Sequence, residues 1–197
     1  GGLNYWSVDD MLYNCGYIGT QHLVEQGYKR IAIVASHAYD GEEFVAGCKK
    51  SLEEVGLSEA AVGYADDEAF ALKILELWLG QDKRPDALFY QRSDHAETCF
   101  AYLQSKRIRI GPEMGFIVLD DSSFHRLSIP GPTAIRRFPD KIGRATVNLF
   151  LEMVELPKKE RLAIKRVDSE FCLDPGRSTQ KGPGKRRIYY ADDPLFI

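Results

Sequence analysis

Apolar positions recur along the chain in two alternating rhythms. Tyr17, Ile18, His22, Leu23 and Val24 lie at helical spacing within Tyr17–Gln26, and Gly27 follows as a stop. Arg30 to Ser36 (RIAIVAS) is a short β-branched run, the pattern of a strand buried on both faces. The helical rhythm returns from Phe44 to Val55 through Phe44, Cys48, Leu52 and Val55, closed by Gly56, and again from Asp67 to Leu79, whose acidic start suits the helix dipole. Ala87 to Tyr90 then reads as a strand, Asp94 to Lys106 as a helix, and Phe116 to Leu119 as a strand running into Asp120 and Asp121.

This alternation predicts an α/β fold in which a mainly parallel sheet is flanked by helices. Such sheets bind ligands beyond the carboxyl ends of their strands. A turn-rich segment, Ser128 to Thr133, precedes a long amphipathic helix from Pro139 to Leu156 with Ile142, Val147, Phe150, Leu151 and Val154 as its apolar members. Arg161 to Leu173 alternates as one more strand. The remaining tail is rich in glycine, proline and charge and reads as loop or arm, its basic residues Lys181, Lys185, Arg186 and Arg187 as a solvated run.

Composition narrows the function classes. The 197 residues suffice for one large domain or a domain plus part of a second, and 44% apolar with 28% charged residues is a globular mixture. Twenty-six basic against 29 acidic residues, a net charge of -3, makes no case for direct nucleic-acid or membrane-surface binding. Cys15, Cys48, Cys99 and Cys172 are too far apart for a zinc knuckle or redox dithiol and are expected to be reduced, buried thiols, with no metal or cofactor implied. Gly1 to Asp10 lacks the pattern of a secretory signal and no run is long enough to span a membrane, so the expected compartment is the cytoplasm. His22, His37, His95 and His125 show no catalytic or metal spacing, and no nucleophile elbow, P-loop or dinucleotide fingerprint occurs. A binding domain is expected, not an enzyme.

Four segments, HLVEQGYKRIAIV, FVAGCKKSLEEVGL, PDALFYQRSDHAETCFAYLQSKRIRIGPEMGFIVLDDSSF and IPGPTAIRRFPDKIGRATVNLFLEMV, follow one another in an order and spacing that resemble the LacI/GalR repressor family over roughly Asp9 to Thr179. The resemblance implies a periplasmic-binding-protein-like fold: two α/β lobes joined by crossing strands, a small polar effector such as a sugar or sugar derivative in the cleft between them, and a dimeric regulator. The second lobe is expected to be nearly complete, in residues 1–132 and 160–180. Residues 133–159 are expected to be a crossover and a helix belonging to the first lobe, most of which lies outside this sequence, and 181–197 a C-terminal tail. By the same resemblance DNA is contacted only through a head domain not in this chain, and the Pro139–Leu156 helix is expected to expose Val147, Phe150 and Leu151.

The family's ligand contacts transfer position by position, with departures. The arginine of its R-x-x-GF segment falls on Phe44, a ring that either stacks on a ligand or belongs to the core. The Asn-Asp pair after the PDA strand falls on Ser93 and Asp94; Asp94 also suits a helix N-cap. Asp120 matches the carboxylate that accepts ligand hydroxyls, and Arg137 and Phe138 match the cleft-lining linker, Arg137 being a candidate to supply the charge absent at Phe44. Tyr64 and Asp66 are assigned to closing the cleft, and Cys99, Phe100 and Leu103 to a homodimer surface. The alternative reading is a periplasmic-type solute-binding protein serving a transporter. A receiver domain, suggested by Asp9 and Asp10 after a segment readable as a strand, is discounted because its threonine and lysine cannot be placed at matching strand ends.

Overall fold

The computed structural model describes residues 6–37, 39–57, 60–120, 123–162, 165–181 and 189–190. Its elements run β1 (Ser7–Asp9), α1 (Leu12–Glu25), β2 (Ile31–Ala35), α2 (Tyr39–Glu54), β3 (Ala61–Tyr64) and α3 (Glu68–Leu79). They continue with β4 (Ala87–Tyr90), α4 (Ser93–Ser105), β5 (Gly115–Leu119), α5 (Ser123–Leu127), β6 (Thr133–Arg137) and α6 (Pro139–Glu155). The last strands are β7 (Arg166–Asp168), β8 (Phe171–Asp174) and β9 (Tyr189–Tyr190), with single 3-10 turns at Glu160–Leu162 and Arg177–Thr179.

Seven strands form one sheet in the order β3-β2-β4-β5-β6-β8-β9, parallel from β3 to β6 and antiparallel at β8 and β9. Side chains alternate across it into two cores. Ile31, Ile33, Ala35, Phe89, Ile117, Leu119 and Ile135 meet α1 and α2 on one face, while Ala32, Val34, Leu88, Tyr90, Phe116, Val118 and Ala134 meet α3 and α4 on the other. Double coverage explains why these strands read as continuous apolar runs. β3 escaped the periodicity because AVGY is short and only half-buried at the sheet edge; α5 and β6, five residues each, flank the turn-rich segment and are likewise too short to establish a period.

Strand pairing separates a small second sheet from the large one. β1 leaves the large sheet and pairs in parallel with β7, Ser7 opposite Arg166 and Asp9 opposite Asp168, and α6 packs on β1. The expected single strand at Arg161–Leu173 is therefore two strands in two sheets, and β6, assigned to the crossover, is an inner strand of the large sheet. The tail also contributes an edge strand, β9, beside β8; Lys185, Arg186 and Arg187 lie outside the described residues. Lys181, at the start of that tail, donates to Asp86 Oδ2 at 3.1 Å and sits over the Tyr28 ring. α6 exposes Val147, Phe150, Leu151 and Val154 at 57%, 58%, 53% and 46%, an apolar stripe along one face. All four cysteines are buried thiols.

α1 and α2 approach backbone to backbone. A Cβ added to Gly47 would stand 1.9 Å from the Tyr13 carbonyl oxygen, and one added to Gly16 2.2 Å from that of Phe44. Gly47→Ala is expected to cost about 1–3 kcal/mol of unfolding free energy by overpacking, measured by urea denaturation. Below the sheet, buried His22 places Nε2 2.8 Å from Thr179 Oγ1, itself 2.7 Å from Thr133 Oγ1, and burial lowers the His22 pKa from 6.5 to about 4. Between those values the unfolded chain takes up a proton that the folded chain refuses. Stability should thus fall by up to about 3 kcal/mol as pH drops from about 6.5 to 4, and the fall should be reduced in His22→Gln, read from denaturation midpoints across that interval.

Candidate functional site

Because β2, β4, β5 and β6 are parallel, their carboxyl ends meet at one edge of the sheet. From β2 the chain turns outward to β3, whereas β4 starts the series that continues through β5 to β6, so a crevice opens between β2 and β4. Buried Gln91, at the end of β4, spans it. Its Oε1 accepts from the Ser36 backbone N–H at 2.8 Å and its Nε2 donates to Asp40 Oδ2 at 3.2 Å. Asp40 Oδ1, in the first turn of α2, accepts from Ser36 Oγ at 3.0 Å and from the Gly41 backbone N–H at 2.9 Å.

A cavity of about 330 Å³ lies over these strand ends. Asp40, Gln91, Arg92, Ser93 and Asp94 line one side, Asp120 and Arg137 the other, with Leu12 and Leu119 between them. Two arginine–aspartate forks dominate its electrostatics. Arg92 Nε donates to Asp94 Oδ1 at 3.1 Å and its Nη2 to Oδ2, and this guanidinium lowers the Asp94 pKa to about 2. Arg137 Nε donates to Asp120 Oδ1 at 2.8 Å, Nη2 to Asp120 Oδ2 at 2.5 Å, and Nη1 to Asp10 Oδ2 at 2.8 Å. Those hydrogen bonds push the Arg137 pKa further above its ordinary value.

The second fork sits where the chain passes between the two sheets. Asp10 follows β1, Arg137 ends β6 just before α6, and the link from β7 to β8 is held by the Ser169 backbone N–H donating to the Asp9 carbonyl at 2.9 Å and by a Lys141–Glu170 ion pair. Arg166 pairs with Asp9 alongside. Met11 and Asp120 have left-handed backbones, with φ of 59° and 72°. Such conformations in non-glycine residues persist only where surrounding contacts impose them.

Ser93, Asp94, Asp120 and Arg137 line this one cavity; Asp121 lies outside the described residues. Other assignments need correction. Phe44 is fully buried, edge-on to Phe89 at 4.7 Å between ring centroids, because α2 turns this residue inward against the sheet. Tyr64 and Asp66 do not line the cavity. They gather around His37, whose Nδ1 is 2.9 Å from Asp66 Oδ1 and whose ring faces Tyr64 at 5.6 Å. Phe138 sits at the N-cap of α6 with Lys141 Nζ 4.7 Å from its ring, also outside the cavity lining.

Cys99, Phe100 and Leu103 are core residues, not a pairing surface: α4 presses them onto the sheet, Phe100 lying edge-on to Phe116 at 5.0 Å. Asp94 does not cap α4, whose N-cap is Arg92. The residues missed were Asp10, Asp40, Gln91 and Arg92. Gln91 and Arg92 directly follow an apolar strand, and position beyond a strand end was the available signal.

The periplasmic binding protein-like domain family matches residues 20–179. A transcriptional repressor, PurR, of Haemophilus influenzae is 28% identical over 152 residues, covering 75% of this chain and 45% of the repressor, so the chain spans less than half the length of that relative. A crystal structure of an uncharacterized protein from Actinobacillus succinogenes superposes with a TM-score of 0.79 at 19% identity, over 88% of this chain and 64% of the other. A LacI family regulator from Enterococcus faecium, crystallised with bound ribose, gives a TM-score of 0.74 at 19% identity, over 87% and 64%.

Arg137 neutralises two carboxylates from different segments in a partly buried setting. Arg137→Ala is expected to lower unfolding free energy by about 1–2 kcal/mol. The double variant Arg137→Ala/Asp120→Ala should cost less than the sum of the two single variants, as measured by a double-mutant cycle in urea.

Proposed function

The chain belongs to the periplasmic binding protein-like domain family, and on that basis we propose that it is the ligand-sensing effector domain of a LacI/GalR-type transcription regulator. The observation that carries this reading is the position of the cavity. It lies at the crevice between β2 and β4, and its far wall is the Arg137–Asp120–Asp10 fork that ties the large sheet to the segment entering the small one. A small polar effector bound there touches the residues that hold the two sheets together. Sugars are the default class, in keeping with the ribose found in the Enterococcus faecium relative.

The mechanism is a shift between lobe arrangements. Effector hydroxyls compete with Arg137 for Asp120, and the arrangement in which both are satisfied is favoured by the difference in binding free energy. The change reaches DNA through a head domain outside this chain, in a cytoplasmic homodimer. Since Cys99, Phe100 and Leu103 are buried, pairing through α4 uses its outer face, where Glu97, Ala101 and Gln104 are exposed. The apolar stripe of α6 is covered by the rest of the first lobe. Such a binding domain needs no catalytic group. Among the described residues no cluster of His, Cys, Asp and Glu suits a metal, and no helix is long and apolar enough to cross a membrane.

A thermal-shift screen of the parent-length protein against millimolar monosaccharides, sugar acids, sugar phosphates and purines tests the reading. Ligand binding to the native state raises the melting temperature. The expected result is a clear rise with one class that Asp120→Ala abolishes. No rise with any class would count against a sensing role.

A further inference from the structure

Among the described residues, the wall of the cleft formed by this chain holds two arginines, yet neither has its charge to spare. Arg92 is forked onto Asp94, and Arg137 is forked onto Asp120 with its third nitrogen on Asp10. An arginine so engaged can offer a ligand anion only a donor directed away from its fork, and must first be released from a carboxylate to present a bidentate face. Set against these two cations, among the described residues, are three aspartates of the lining, Asp94, Asp120 and Asp40, and Asp10 behind Arg137. Asp40 differs from the other three. It is exposed at the cavity wall, its neighbours are the neutral donors Ser36, Gly41 and Gln91, and no ion pair joins it to a cation among the described residues.

Three accepted hydrogen bonds leave Asp40 with acceptor capacity, since a carboxylate has about four lone-pair sites. Negative charge is crowded around this end of the fold. Burial and nearby Asp10 both raise the pKa of Glu43, and Arg92 feels Glu68 and Asp40 as well as its fork partner.

Resting on the sensing role proposed above, we propose that this cleft rejects anionic effectors and selects amine-bearing sugars over their neutral counterparts, with Asp40 accepting hydrogen bonds from the ligand ammonium. The two forks supply shape and hydrogen-bonding edges without net positive charge, and Asp40 supplies the surplus negative charge. Sugar acids and sugar phosphates would place a second anion beside it on this wall and bind more weakly.

Isothermal titration of the parent-length protein with matched panels provides the test: glucose, glucosamine, gluconate and glucose 6-phosphate; galactose, galactosamine and galactose 6-phosphate. On the scaffold that binds, the amine member should be the tightest and the phosphate member at least ten-fold weaker than the neutral sugar. Asp40→Asn should reduce the amine-to-neutral affinity ratio several-fold. Asp94→Asn, which frees Arg92 from its fork, should raise affinity for the phosphate member relative to the neutral sugar, a gain that misfolding cannot produce. Tightest binding of the phosphate or acid member, or an amine-to-neutral ratio unmoved by Asp40→Asn, would overturn the selectivity while leaving the sensing role intact. Binding of no panel member, together with no response in the thermal screen, would remove the sensing role and this selectivity with it.

Discussion

Burial of both faces of the parallel sheet is the constraint on which the rest of this structure depends. β2, β4 and β5 send successive side chains alternately into one core and the other, and every residue of those strands is buried. Nothing on either face remains for chemistry. Polar groups are confined to strand ends, and because the strands are parallel those ends converge from distant parts of the sequence. Asp40, Gln91, Asp120 and Arg137 are separated by 17 to 97 positions, yet they surround one cavity.

Convergence also determines how the charges are arranged. An arginine brought to a partly desolvated strand end needs an acceptor for each donor-bearing edge, and Arg137 finds them on Asp120 and on Asp10, 127 residues away in sequence. One guanidinium thus completes the cavity wall and fastens the entry to the small sheet. The left-handed backbones of Met11 and Asp120 fall at the same place, which marks it as a point where local preference yields to long-range contact.

Elements with strong periodicity were legible in the sequence: RIAIVAS, PDALFY and GFIVLD are long enough and apolar enough to show burial on two faces. The edge strand at Ala61–Tyr64 and the three-residue β1 were not read as strands of their sheets, since a short half-buried strand carries too few residues to establish a period. Among site residues, Ser93, Asp94, Asp120 and Arg137 could be placed through the family resemblance. Phe44, Cys99, Phe100 and Leu103 could not, because an apolar residue on an amphipathic helix looks the same whether it faces its own sheet or another molecule; only the packing of α2 and α4 decides. Asp10 was also beyond reach as a partner of Arg137, because nothing local at either residue encodes the other.

The glycine contact between α1 and α2 has a mechanical consequence. With Gly16 and Gly47 bringing the two helix backbones into direct contact, α1 has no room to slide on the large lobe and acts as part of its rigid frame. β1, two residues before α1, belongs to the other sheet. Any rotation of the small sheet against the large one must then bend the chain here at the few torsion angles around Asp10 and Met11, in step with the passages from β6 to α6 and from β7 to β8.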